Sequence, residues 1–295
     1  SMSPKNKKQP TFIDLFAGIG GFHLAFHKNG ANCVFASEWN EHARKTYETN
    51  FSKMSPAIFK NGNFVGDITK VKPKDIPDFD IICGGFPCQP FSQAGFKKGF
   101  KDERGNLFFH IAEIIRTKKP EAFFLENVRH LLKHDDGKTF ATIKKIIEDD
   151  LGYSFHYKIV KGTDFNVPQH RPRLFMVGFR NKKTPFKFPE PAELTKTMSD
   201  IFRAPCEKKI GYTLRVGGRG SVITDRRNWD SYKVNGKIVR LGPEEGKRMM
   251  GLPSGYVFPV SNSQAMKQLG NAVVVPAISA VAKEIINTLN KYHGD

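Results

Sequence analysis

Thr11–Gly21 reads TFIDLFAGIGG, and the fold is decided there. Thr11–Phe16 is an almost unbroken apolar run that predicts a buried strand. Gly18–Gly21 supplies a sharp turn, and a helical pattern follows through Leu24, Phe26 and His27 to a stop at Gly30. Strand, glycine turn and helix together open a βα unit. The glycines allow close approach of a ligand to the backbone, with a helix N-terminus behind it. A dinucleotide fingerprint would continue G-x-G-x-x-G, but His23 occupies the third position. This argues against a pyrophosphate lying on the turn, and so against a nicotinamide oxidoreductase.

Outward from that unit the alternation continues. Asn32–Ser37, Phe79–Gly84, Ala122–Leu125, Tyr153–Lys161 and Leu174–Arg180 read as strands, and Glu41–Asn50, Leu107–Lys118 and Lys138–Leu151 as helices. The apolar strands suit a sheet covered on both faces, a doubly wound α/β domain over residues 1–184 with ligands at the carboxyl ends of its strands. Near Lys182 the pattern changes: four prolines fall between Pro185 and Pro205, and helical periodicity fades. Residues 185–263 are expected to form a smaller, loop-rich lobe. Residues 264–295 are expected to return to the first domain as one helix, Gln264–Tyr292.

The 295 residues carry a net charge of +18, which attracts phosphate backbones and makes binding salt-dependent. Arg203–Met249 alone holds 12 Lys and Arg against 5 Asp and Glu, more than twice its even share of the surplus. Nucleic acid is expected to be gripped there. No apolar run approaches a bilayer span and no secretory signal opens the sequence, so no membrane role is expected. Four scattered cysteines (Cys33, Cys83, Cys88, Cys206) suit neither a disulfide framework nor a zinc site. No metal is expected.

The candidate chemistry gathers at predicted strand ends. Glu38 could accept from two ribose hydroxyls, Trp39 offers a flat face for a base, and Asp67 could bond an adenine amino group. A nucleoside without a pyrophosphate points to S-adenosylmethionine. Gly84–Ser92 reads GGFPCQPFS, where a cysteine between prolines after a buried strand suits a nucleophile, Cys88. The other three cysteines read as core thiols. Glu126 follows Phe123, Phe124 and Leu125, so its carboxyl should be desolvated, with a raised pKa suited to proton donation. In QHRPR, Gln169–Arg173, Arg171 and Arg173 at i and i+2 share one face of an extended segment and could hold a pyrimidine O2, a phosphate or Glu126 itself.

DLFAGIGG (14–21), Glu38-Trp39, GFPCQPFS (85–92), ENV (126–128), QHRPR (169–173) and GNAV (270–273), in this order, resemble the motifs of the cytosine-5 DNA methyltransferase family of bacterial restriction-modification type. The match runs from about Phe12 to the last helix and is weakest in the middle lobe. One departure is Ala272, where many members carry Ser. The resemblance implies a Rossmann-like S-adenosylmethionine-dependent catalytic domain with a target-recognition domain and a returning C-terminal helix. It implies cofactor contacts from Phe16, Gly18, Glu38, Trp39, Asp67, Ile68, Pro87, Leu107 and Asn271, to which the glycine turns add Gly20, Gly21 and Gly85. S-adenosylhomocysteine would be the product.

In that family's mechanism Cys88 attacks cytosine C6, Glu126 stabilises N3, and Arg173, with Arg171, orients O2 and lowers the thiol pKa. The base must leave the duplex stack, with Gln89, Ser92 and Gln93 expected around the vacated site and Phe96–Gly105 as a lid. Arg215 and Arg219 in TLRVGGRGS and Arg226 and Arg227 in DRRNW are the expected DNA readers. The expected partner is double-stranded DNA, met by a monomer in a bacterial cytoplasm, at the nucleoid, beside a restriction endonuclease. A tRNA-methylating relative is the alternative, but its Cys-Phe-Thr element is absent. A DNA-binding relative without activity is opposed by intact Cys88, Glu126, Arg171 and Arg173.

Overall fold

The computed structural model describes residues 9–91 and 106–292. Its centre is a seven-stranded sheet ordered β3-β2-β1-β4-β5-β7-β6. The strands are β1 (Thr11–Leu15), β2 (Asn32–Ser37), β3 (Phe64–Val65), β4 (Ile81–Gly85), β5 (Ala122–Val128), β6 (His156–Val160) and β7 (Arg173–Phe179). Strands β1 to β5 pair in parallel, whereas β7 runs antiparallel to both β5 and β6. Two-residue β3 is too short to leave a periodic signature in the sequence.

Side-chain alternation along the strands feeds two cores. Phe12, Ile81 and Phe124 belong to one, with Phe22 and Phe26 of α1 (Gly21–Lys28) and Ile278, Val281 and Ile285 of α9 (Val275–Tyr292). Ile13, Ile82, Phe123 and Leu125 belong to the other. There they meet Phe108, Ile111 and Ile115 of α4 (Leu107–Lys118) and Ile143 of α5 (Lys138–Lys145). Phe123 and Phe124 are both fully buried on opposite faces, so truncating either to Ala should cost about 3–5 kcal/mol. Helices α2 (Glu41–Phe51) and α3 (Pro56–Lys60) flank the parallel half.

Two expected helices differ. The one from Lys138 passes at Ile146 into a π-helical turn that ends at Asp150. The C-terminal stretch is two helices, α8 (Asn262–Gly270) and α9, bent by 44° across residues 271–274. Among the described residues no single helix is long and apolar enough to cross a membrane. Between the sheet and α8 lie α6 (Met198–Phe202), a hairpin of β8 (Ser231–Val234) and β9 (Lys237–Arg240), and α7 (Pro243–Met249). The hairpin turns on Asn235-Gly236, both at positive φ, as a tight two-residue turn requires.

The reversal of β7 matters for the site. The carboxyl ends of the parallel strands share one edge of the sheet, and an antiparallel strand brings its amino end there. Register pairs Val128 with Arg173 and Glu126 with Phe175, so the start of β7 meets the end of β5.

Candidate active site

One cleft of about 740 Å³ opens along that edge. Phe16, Gly18, Glu38, Trp39, Asp67, Ile68, Gly85, Pro87, Leu107 and Asn271 line it together with Cys88, Glu126, Arg171 and Arg173. Gly20 and Gly21 do not line it. Gly20 has φ +88°, and a Cβ there would lie 2.1 Å from the Phe51 ring; at Gly21 it would lie 2.3 Å from Val273. These two glycines are closely packed behind the turn.

The turn itself is braced by Glu38. Its Oε1 accepts from Gly18 N–H at 2.7 Å and its Oε2 from Asn40 N–H at 2.6 Å, so one carboxylate joins the ends of β1 and β2. Phe16 stands at φ +52°, an uncommon conformation for a bulky residue that collects at ligand-binding turns. Trp39 is 76 % exposed at the cleft wall. Asp67 caps a short 3-10 turn through Thr69, and the Thr69 hydroxyl chiefly holds its carboxyl below the usual range. His23 faces inward and stacks on Phe51 at 4.1 Å. Burial, with help from His27, lowers its pKa to about 3, so it is neutral and serves the core.

The cysteine loop is held by more than its prolines. Asn127 Nδ2 donates to Phe86 O at 2.8 Å, and Asn106 Nδ2 donates to Gln89 O and Pro90 O at 3.3 and 3.2 Å. Gln89 Oε1 accepts from Leu107 N–H at 2.8 Å. Gln89 thus holds the start of α4 and anchors the loop. Ser92, Gln93 and the Phe96–Gly105 lid fall outside the described residues. Asn127 and Asn106 are the residues missed by the sequence reading, although Asn127 stood in the quoted ENV. Gln264, Lys267 and Gln268 of α8 also line the cleft without having been singled out.

Glu126 is 9 % exposed. Burial raises its pKa, opposed by the charges of Arg173 and then Arg171. Arg173 Nε lies 3.5 Å from Glu126 Oε1. Gly85, paired with Glu126 across the sheet, leaves the room its carboxyl occupies, since a Cβ would sit 2.8 Å from Oε2. Burial also pushes the Cys88 thiol above its usual value. The expectation that the arginines lower it is therefore corrected for the protein without DNA.

The two arginines do not share a face. Arg171 has φ +38° and lies before β7 begins, so the extended i, i+2 geometry fails. Its guanidinium is buried, with Nη1 donating to Leu214 O at 2.9 Å and Nη2 to Gly270 O and Ala272 O at 2.7 and 2.9 Å. Burial chiefly lowers its pKa, to about 9. Gln169 adds bonds to Met249 O and Leu214 N–H. Arg171 thus ties the sheet to the lobe and to the end of α8, and Arg173 alone is ion-paired to Glu126 among the described residues.

Of the expected DNA readers, Arg215, Arg219, Arg226 and Arg227 are exposed, and none lines the cleft. Val216, next to Arg215, does line it. Arg227 is paired to Asp225 at 2.9 Å, and that hydrogen bond holds the Asp225 carboxyl down at about 2. Among the described residues no cluster of three or more His, Cys, Asp or Glu is placed to hold a metal ion.

The C-5 cytosine-specific DNA methylase family matches this chain over residues 10–235 and 207–287. The chain is 43 % identical to the type II methyltransferase M.SsoII of Shigella sonnei, across 94 % of its own length and 80 % of that protein. It is 39 % identical to M.HhaI of Haemophilus parahaemolyticus across 95 % of each. Similar solved structures include a Spodoptera frugiperda DNMT2 mutant, with a TM-score of 0.70 at 20 % identity over 95 % of this chain and 99 % of that one. Another is the Entamoeba histolytica methyltransferase EhMeth, with a TM-score of 0.69 at 19 % identity over 97 % and 99 %. At such identities the likeness concerns the fold.

Proposed function

The chain belongs to the C-5 cytosine-specific DNA methylase family, and from that premise we propose how its own residues carry out the transfer. It is a DNA cytosine-5 methyltransferase, and the observation that supports our assignment of roles is the single cleft shared by Cys88, Glu126 and the acidic and aromatic side chains of the turn. A cleft of about 740 Å³ falls within the size range of small-molecule sites. Its carboxylates, Glu38 and Asp67, suit hydroxyl and amino donors, and Phe16 and Trp39 suit a flat base. These features fit S-adenosylmethionine, which when bound supplies an electrophilic methyl on a sulfonium.

In this reading Cys88 loses its proton and forms a bond to C6 of a flipped cytosine, which makes C5 enamine-like. Glu126 hydrogen-bonds or protonates N3, where negative charge collects, and Arg173 orients the base through O2. After C5 is methylated its proton passes to solvent. The C5–H electrons form the C5=C6 bond as the C6–S bond breaks to restore the thiolate, and any proton on N3 returns to Glu126. Double-stranded DNA is the substrate, and we read the enzyme as a monomer acting in a bacterial cytoplasm alongside an endonuclease. Bisulfite sequencing of DNA from cells expressing the chain tests the function: 5-methylcytosine should appear within one short sequence, and unmodified DNA would refute it.

Glu38 carries a prediction of its own. Removing it as Glu38→Ala takes away two hydroxyl acceptors and also frees Gly18 N–H and Asn40 N–H. Affinity for S-adenosylhomocysteine should fall by about 1.5–3 kcal/mol for each charge-assisted bond lost. Unchanged affinity in calorimetry would remove Glu38 from the cofactor site.

A further inference from the structure

Behind the loop that follows Leu214 lies a buried carboxylate that the proposed chemistry does not use. Asp230, next to the first residue of β8, is 0 % exposed. Its Oδ2 lies 3.5 Å from Arg219 Nε and 3.4 Å from Arg240 Nη1, and accepts from Gly220 N–H at 3.3 Å. Its Oδ1 has no hydrogen-bond partner among the described residues. One fully buried acid thus faces two arginines whose side chains remain 32 % and 44 % exposed. Desolvating a carboxylate is unfavourable unless cations compensate it. The arrangement is therefore expected to hold both guanidiniums in place.

The surrounding loop is built to be stiff. Trp229 Nε1 donates to Gly217 O at 3.0 Å, and Arg219 Nη2 donates to Leu241 O at 3.0 Å. Gly220, at φ +96°, passes so near Arg240 that a Cβ would sit 3.2 Å from Nη1. One end of this loop, Val216, lines the cleft. Its other end carries Arg219, which meets Arg240 at the end of β9 over Asp230. Each guanidinium keeps further N–H donors in a planar fork beyond those contacts, the geometry that matches a guanine O6/N7 edge.

We propose that Asp230 is a positioning residue that presents Arg219 and Arg240 to the target duplex as a fixed pair, and that Arg240 determines part of the sequence methylated. The ligand is the acceptor edge of a guanine in the major groove. The inference rests on the DNA-methylating reading above.

The test uses the full chain and a pool of duplexes in which one cytosine is flanked by randomised positions, read by bisulfite sequencing. Arg240→Ala and Asp230→Asn should each lower preference at the same base position by roughly tenfold or more. Single-turnover transfer at saturating DNA should stay within about twofold of wild type, because neither residue touches the reacting atoms. The double variant should be no worse than the poorer single variant, as expected for coupled groups. Should Asp230→Asn fail to fold, Arg240→Ala and Arg240→Lys decide the question, since lysine keeps the charge and loses the fork. Arg240→Ala with every base preference intact overturns the proposal. So does equal weakening on all sequences with a lower salt slope, the mark of a phosphate contact alone. A wild type that methylates nothing in the pool would instead refute the DNA-methylating reading beneath it.

Discussion

Cys88→Ser should abolish methyl transfer while leaving specific DNA binding within roughly tenfold, because a hydroxyl at neutral pH lacks the nucleophilicity of a thiolate. The loop geometry should survive the exchange, since Asn127, Asn106 and Gln89 hold it through backbone carbonyls and an N–H rather than through the thiol. Measurable turnover by the variant would rule out the covalent route. A trap gives an independent check. Duplex DNA with 5-fluorocytosine at the target should form a denaturant-resistant adduct with wild type and none with the variant, because fluorine cannot leave as a proton does. The adduct must map to Cys88. Cys33 and Cys83 are buried, with their thiols directed at Phe35 O and Ile13 O, and neither can reach a base without unfolding the sheet. An adduct on either, or on Cys206, would overturn the assignment.

The second large effect concerns Glu126. Glu126→Gln should lower the single-turnover rate by about 10²–10⁴, the usual contribution of a positioned proton donor. Its pH profile should change as well. Burial raises both Glu126 and Cys88 above their usual values, and in the proposed mechanism the reactive pair is a protonated carboxyl with a thiolate. Between the two pKa values, each step up in pH yields more thiolate and proportionally less protonated Glu126. Wild-type kcat/KM should therefore be flat across that window. It should fall below the Glu126 pKa, where only thiolate is being lost, and above the Cys88 pKa, where only the acid is. Glutamine does not titrate, so the variant should instead climb about tenfold per pH unit up to the Cys88 pKa. A variant profile as flat as wild type would refute the role of the Glu126 proton.

Much of this was legible in the sequence wherever one residue's environment was set by its immediate neighbours. β1, β2, β4 and β5 announce themselves as apolar runs ending at glycine or at a polar residue, and those endings are the site. Glu126 follows the buried run Phe123, Phe124 and Leu125 on its own strand, and its carboxyl is buried with them. What escaped was set at a distance. Arg171 finds its acceptors 43 to 101 residues away, and nothing near QHRPR reveals that its guanidinium turns toward backbone carbonyls. Gln89 caps a helix that begins 18 residues later. The direction of β7 was equally hidden, since an apolar run is the same read either way. The β8–β9 hairpin is a different case, because Asn235-Gly236 is a strong turn signal. Its two four-residue strands, one largely exposed, carry no buried stripe that a sequence pattern could reveal.

The polar grip on the middle segment falls largely on main-chain atoms. Arg171 holds Leu214 O, Gly270 O and Ala272 O, Gln169 holds Met249 O and Leu214 N–H, and the Tyr256 hydroxyl holds Ile19 O in the glycine turn. The bonds made to backbone atoms do not depend on which side chains the clasped segment carries. Tyr256 and the buried Leu214, Met249 and Met250, which share a core with the sheet, do fix part of the fit. If the middle segment reads the DNA as proposed, its exposed residues can diverge without disturbing those backbone bonds to the catalytic edge. Exchange of residues 185–263 for the corresponding stretch of a relative should accordingly redirect the methylated sequence while S-adenosylhomocysteine affinity holds within a few fold.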